Sequence, residues 1–213
     1  MTAAHTIPLR SRLKKVSING KSRRVECVVI HDGYKRLPQE LIDQAVATGE
    51  ATLLVEFASS SDDIALVKLA KPVTDVAPAA LYEDSPRPGE IVKIIGKGTT
   101  GSGATGYSLG VPSRTELRRA YNEISRVDDR WFCYRFDEPS SALPLEGALG
   151  NGDSGGPTLT RVEDQWLLSG LASWKSIEGH VLSAKYGRYG QVPCNVRLSH
   201  SVDWIGSVTS EQP

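Results

Sequence analysis

Short runs of β-branched and aromatic residues alternate along this chain with clusters of turn formers. The runs are "VECVVI" (25–30), "ATLLVEF" (51–57), "IALVKL" (64–69), "EIVKIIG" (90–96), "RWFCYRF" (130–136), "DQWLLSGLASW" (164–174) and "CNVRLS" (194–199). Between them stand "INGKS", "SSSDD", "SPRPGE", "GKGTTGSGATG" and "GNGDSGGP". Runs of this length bounded by Gly, Pro, Asn, Asp and Ser predict strands, and several of them at fairly regular spacing predict an all-β barrel or sandwich. Helical periodicity is rare. In "RLPQELIDQAVATGE", Leu41, Ile42, Ala45 and Val46 recur at helical spacing ahead of a glycine stop, which predicts a short helix. The segment "SHSVDWIGSV" predicts a C-terminal helix, capped by Ser199 or Ser201, with Val202, Ile205 and Val208 toward a core. The Pro-rich "YEDSPRPGE" marks a crossing between two halves, 1–85 and 86–213.

Composition narrows the function classes. The chain has 213 residues, 39% hydrophobic and 23% charged, and its formal net charge is zero. A neutral chain argues against nucleic acid as a main partner, because phosphate binding needs a basic surface. The basic cluster "RSRLKK" with "KSRR" reads as a solvated strand–turn face, with a polyanion patch as the alternative. No apolar run approaches a membrane span, and "MTAAHTIPLRSRLKK" lacks the apolar region of a signal peptide. Cys27, Cys133 and Cys194 form no metal-type spacing, so no metal site is expected. A Cys133–Cys194 bridge and three small buried thiols are both open readings.

One stretch carries chemistry. "LGNGDSGGPTLT" (149–160) places Gly150, Gly152, Gly155 and Gly156 around Ser154, with Asp153 directly before it. These are turn residues, and a plain loop is the bland reading. The other reading is a nucleophile on a tight turn, which needs a base and an acid to orient that base. The chain has four histidines: His5, His31, His180 and His200. His5 follows small residues in "TAAHT", where two alanines let the backbone pack closely while the ring projects. Asp63 stands between the polar "SSSD" and the apolar "IALVKL", at the mouth of a buried strand; Asp62 reads as a loop residue. His31, His180 and His200 are assigned to structure or solvent.

"TAAH", "DDIALVKL" and "GDSGGP", in that chain order, resemble the three catalytic segments of the trypsin/chymotrypsin-like serine peptidase family. "VVIHDGY", "RPGEIVKIIGKG" (with Lys97 where tryptophan is usual), "LLSGLASWKS" and "VRLSHSVDWI" resemble further family segments in order. The resemblance implies a chymotrypsin-like double β-barrel with a C-terminal helix. Residues 1–85 would form an incomplete N-terminal barrel carrying His5 and Asp63. Residues 86–213 would form the second barrel, with Ser154 and the specificity pocket. It further implies Ser154 as nucleophile, His5 as base and Asp63 as its orienting acid. Gly152 and Ser154 would supply the oxyanion-hole N–H groups, and Asp153 would hold that loop by pairing with a buried cation. No cofactor is implied; the substrates would be proteins or peptides, and the enzyme a secreted or periplasmic monomer.

Departures from the family pattern carry their own expectations. His5 is almost the first residue, so early strands and any signal peptide are expected to be missing, through a misplaced start or a truncated gene. Thr6 and Gly150 stand where the family carries cysteines, as in cysteine-poor bacterial members. Ala148 occupies the place of the acidic residue in trypsin-like pockets, so a pocket of Ala148, Leu149, Ser173 and Trp174 should take an apolar P1 residue and disfavour a basic one. Lys175 replaces a glycine beside the substrate and either narrows the pocket or marks a one-residue shift of register. The leading function is a serine endopeptidase. A catalytically impaired homologue acting as a binding module is the alternative, and an esterase of the α/β-hydrolase type suits neither the motif nor the His-first order.

Overall fold

The computed structural model describes residues 1–8, 13–107, 116–176 and 185–210. Two β systems follow one another. The first is a three-stranded antiparallel sheet of β1 (Lys15–Ile18), β2 (Lys21–Ile30) and β3 (Ala65–Leu69), in that order. The second contains β4 (Ile91–Gly96), β5 (Arg118–Val127), β6 (Trp131–Tyr134), β7 (Pro157–Val162), β8 (Gln165–Lys175) and β9 (Pro193–Arg197). These close into a barrel of order β4-β5-β6-β9-β8-β7. Closure leaves no strand edge unpaired in that barrel. The helix expected from the Leu41 periodicity is α1 (Gln39–Thr48), ended by Gly49 in the left-handed conformation at φ 79°. The C-terminal helix is α3 (Val202–Ser210), with Ile205 buried and the Ser201 carbonyl accepting its N–H at 2.9 Å.

The run "ATLLVEF" corrects the strand reading: it is helical, within α2 (Thr52–Ser59), which packs against α1. An apolar run this short carries both periods at once, and neighbours decide between them. β5 and β7 were not foreseen either. Their sequences, "RRAYNEISRV" and "PTLTRV", are too polar to read as apolar runs: in β5 polar residues fill the exposed positions between buried ones, and in β7 two of the three buried residues are the threonines Thr158 and Thr160.

The barrel core is filled from several strands, with Val92, Ile124, Phe132, Tyr134 and Leu171 essentially inaccessible. Neighbouring strands β6 and β9 pair Cys133 with Cys194, and a disulfide joins them, which decides between the two readings of these thiols. Cys27 is a free thiol.

Two joints fix the first sheet to the barrel and thereby position the site. Trp131 of β6 donates its indole N–H to the Ser59 carbonyl at the end of α2, 2.8 Å away. Asp62, expected to be a loop residue, is instead an ionic hub. It takes Arg130 at 2.9 Å and lies 3.5 Å from His200 and 3.8 Å from His31, whose ring packs 4.8 Å from Trp204 of α3. His31 and His200 thus serve this joint, while His180 lies outside the described residues. The segment before His5 is tied down as well. Thr2 and Ala65 exchange backbone hydrogen bonds of 3.0 and 2.9 Å, and Ala3 and Ala4 are buried, as their small side chains allow.

Candidate active site

Asp63 stands two residues before the start of β3, beneath the single turn of 3-10 helix at Ala4–Thr6 that carries His5. Its carboxylate is 5% exposed and accepts three hydrogen bonds. The His5 backbone N–H donates to Oδ1 at 2.8 Å, and the His5 ring Nδ1 lies 2.6 Å from Oδ2. Ser173 of β8 donates its hydroxyl to Oδ2 at 2.5 Å. An ionised carboxylate only accepts, so Nδ1 carries the ring proton and Nε2 of neutral His5 is left as the basic nitrogen. Holding backbone and ring of one residue by the same carboxylate fixes both the position and the tautomer of the imidazole.

The serine loop enters β7. Gly152 and Gly155 have φ of 95° and 74°, a region L residues avoid, so the turn itself demands glycine there. The peptide N–H groups of the loop are shared out in a telling way. Asp153 N–H goes to the Gly150 carbonyl, Gly155 N–H to Ala172 and Gly156 N–H to Asp153. The N–H groups of Gly152 and Ser154 have no acceptor among the described residues. Two donors left open on either side of Asp153 are what an oxyanion-binding loop requires.

Asp153 anchors the loop from behind. Its Oδ1 accepts from Gly98 N–H at 2.6 Å and its Oδ2 from Gly150 N–H at 2.8 Å. A Cβ at Gly96 would overlap this carboxylate, and one at Gly98 would lie 2.5 Å from it. The cation expected beside Asp153 is replaced by these two peptide donors; no cationic side chain lies within 4.0 Å among the described residues.

Two cavities meet at this site and share Ser173 and Trp174 as a common wall. One, of about 250 Å³, is lined by His5, Asp63, Tyr34 and Phe57. The other, of about 290 Å³, is lined by Ser154, Gly152, Leu149, Asn151 and Lys175. Ser154 is exposed, and its hydroxyl makes no hydrogen bond to the His5 ring among the described residues. Catalytic hydrogen bonds commonly tighten only when substrate is bound. Of the expected pocket residues, Leu149, Ser173, Trp174 and Lys175 line the cavity beside Ser154. Ala148 faces a neighbouring cavity with Asp153, Gly96 and Gly98.

Lys175 reaches across that cavity wall. Its ammonium donates to the Tyr107 hydroxyl at 2.5 Å and lies 3.4 Å from both the Leu149 carbonyl and Asn151 Oδ1. Burial pulls its pKa down to about 8, against a smaller opposing pull from the Asp153 charge. Tyr107 in turn donates to Asn151 Oδ1 at 3.3 Å, and its burial pushes the phenol up to about 12. Tyr107 escaped the sequence reading because it lies in no chemical motif, and Asn151, inside the serine stretch, reads there as a turn residue.

The family model described as Trypsin matches residues 1–205. The chain belongs to the trypsin family. Its closed barrel, second sheet and C-terminal helix are the chymotrypsin-like architecture of that family. It is similar to the snake venom serine protease BthaTL of Bothrops alternatus, with 31% identity over 124 residues. That similarity covers 53% of this chain and 48% of the venom protein, so the chain spans about half the length of this trypsin-family relative.

Proposed function

We propose that the chain is a serine endopeptidase working through a covalent acyl-enzyme. The observation that carries this reading is the grip of Asp63 on His5, backbone and ring together, beside an exposed serine flanked by two open N–H donors. Ser154 Oγ attacks the scissile carbonyl while His5 Nε2 takes its proton. The carbonyl oxygen, now an anion, is met by the N–H groups of Gly152 and Ser154. His5 then passes the proton to the leaving amine, the C–N bond breaks, and the acyl group stays on Ser154. Water repeats the sequence, with His5 as base, and frees the acid. Asp63 keeps the imidazole in the tautomer that leaves Nε2 basic and stabilises the imidazolium. Asp153 holds the loop that presents the donors. Among the described residues the pocket beside Ser154 is lined by no carboxylate, so a basic P1 side chain is disfavoured; Leu149 and Trp174, both expected from the sequence, supply apolar surface, and Ala172 adds to it. The Cys133–Cys194 bridge suits a secreted or periplasmic protein, since disulfides persist in oxidising compartments.

The test is fluorophosphonate labelling together with hydrolysis of a casein substrate. The parent chain should label at Ser154 and cleave. Ser154→Ala should lose both, with hydrolysis down at least ~1,000-fold, and Asp63→Asn should fall by about four orders of magnitude with its fold intact. A parent chain that folds but neither labels nor cleaves is a binding module, and the peptidase reading ends there.

A further inference from the structure

The cavity beside Ser154 holds a positive charge that the proposed chemistry does not use. Among the described residues Lys175 hydrogen-bonds only to neutral groups, a phenol, a carbonyl and an amide, and two of those three contacts are 3.4 Å long, at the weak end of the range. No carboxylate lies within 4.0 Å of its ammonium among the described residues. Among the described residues the charged and titratable groups around it are Tyr107 and Tyr186, whose rings lie 5.1 and 5.0 Å away, and Asp153, whose carboxylate is already taken by Gly98 and Gly150. An ammonium enclosed without a counter-ion is an unfavourable arrangement unless something anionic completes it.

The position of this charge says what completes it. The same cavity is bounded by Ser154 and Gly152, so a peptide with its carbonyl at Ser154 projects its P1 side chain toward Lys175. We propose that the cavity recognises an acidic P1 residue, glutamate or aspartate, whose carboxylate pairs with the Lys175 ammonium while its methylenes lie on Ala172 and Trp174. This rests on the peptidase reading and moves the P1 preference from apolar to acidic. An apolar P1 side chain would strip water from the ammonium and return nothing, and a basic one would repel it.

The experiment uses the full chain and peptide p-nitroanilides identical at P2–P4, with P1 as Glu, Asp, Gln, Leu, Phe, Ala or Arg. Glu should exceed its neutral isostere Gln by about 10- to 100-fold in kcat/KM, the size expected of one charge-assisted hydrogen bond in a desolvated site. Lys175→Arg should keep a Glu-over-Gln preference. Lys175→Met should abolish it and raise Leu above Glu, with thermal unfolding recorded beside each variant. Equal rates for Glu and Gln in the parent chain overturn the proposal, as does faster cleavage of Leu or Phe, or cleavage confined to Ala; these comparisons need no variant to fold. Cleavage of any of these peptides with fluorophosphonate labelling of Ser154 keeps the peptidase reading standing when acidic P1 fails. No cleavage of any peptide and no labelling removes both.

Discussion

Single side chains set the chemistry of this site, and two of them can be probed without touching the reacting atoms. Asp153 accepts one peptide N–H on each carboxylate oxygen. In Asp153→Asn one oxygen becomes an NH₂ group that faces a donor, and leaving an N–H unpaired there costs about 1–3 kcal/mol. The loop carrying Gly152 and Ser154 should loosen. kcat/KM should then drop about 10- to 100-fold with the secondary structure unchanged by circular dichroism. Lys175 gives a pH signature. Its pKa of about 8 in the folded protein means that the ammonium is present below pH 8 and lost above it. The Glu-over-Gln ratio in kcat/KM should therefore decline as pH rises through 8. In kcat it should persist to higher pH, because a bound carboxylate holds the proton. The folded value lies below lysine's ordinary 10.5, so the unfolded chain binds this proton more tightly across that interval. Stability from this group should rise between pH 8 and 10.5, opposite to a lysine stabilised by an ion pair.

Elements were legible in the sequence to the degree that their environment was local. β6 and β9 are buried on both faces, β3 is at least half-buried along its length, and β4 buries Val92 and Ile94; all four read as apolar runs. α1 was legible from its periodicity and glycine stop. α2 was not, because Leu53, Leu54, Val55 and Phe57 satisfy a strand pattern as well as a helix, and its partner α1 decides the outcome. At the candidate site, His5, Asp63 and Ser154 are named from short motifs. The Lys175–Tyr107–Asn151 group was not, since it joins three distant segments by side-chain geometry alone. The pairing of β6 with β9 makes a further test at this scale. Cys133 and Cys194 are separated by 61 positions. Removing a bridge that closes such a loop costs about 2–4 kcal/mol. The double variant Cys133→Ala, Cys194→Ala should lower Tm by about 4–16 °C, read by calorimetry, while retaining the barrel.

The molecule as a whole hangs on the joint at Asp62. Arg130 from the barrel, His200 beside α3 and His31 after β2 converge on one carboxylate, and the next residue in the chain is Asp63. Asp62→Ala removes the buried carboxylate from this cluster and leaves only the exposed Asp129, 3.6 Å from Arg130 and 3.4 Å from His200, to offset its charge, a loss of about 1–3 kcal/mol. It should lower Tm by several degrees and also slow turnover, because the shift reaches Asp63 through a single peptide bond and His5 through the Asp63 carboxylate. An unchanged Tm would show the cluster to be solvated decoration. The glycines around Asp153 lead somewhere different. Neither Gly96 nor Gly98 has a positive φ, so conformation does not require glycine at either place; the Asp153 carboxylate occupies the space where their side chains would be. The two glycines and the aspartate are therefore bound together as one heritable unit, although 55 positions separate Gly98 from its partner. Lineages that keep the aspartate must keep both glycines, and a side chain arriving at 96 or 98 should be found only where residue 153 has already shrunk or lost its charge.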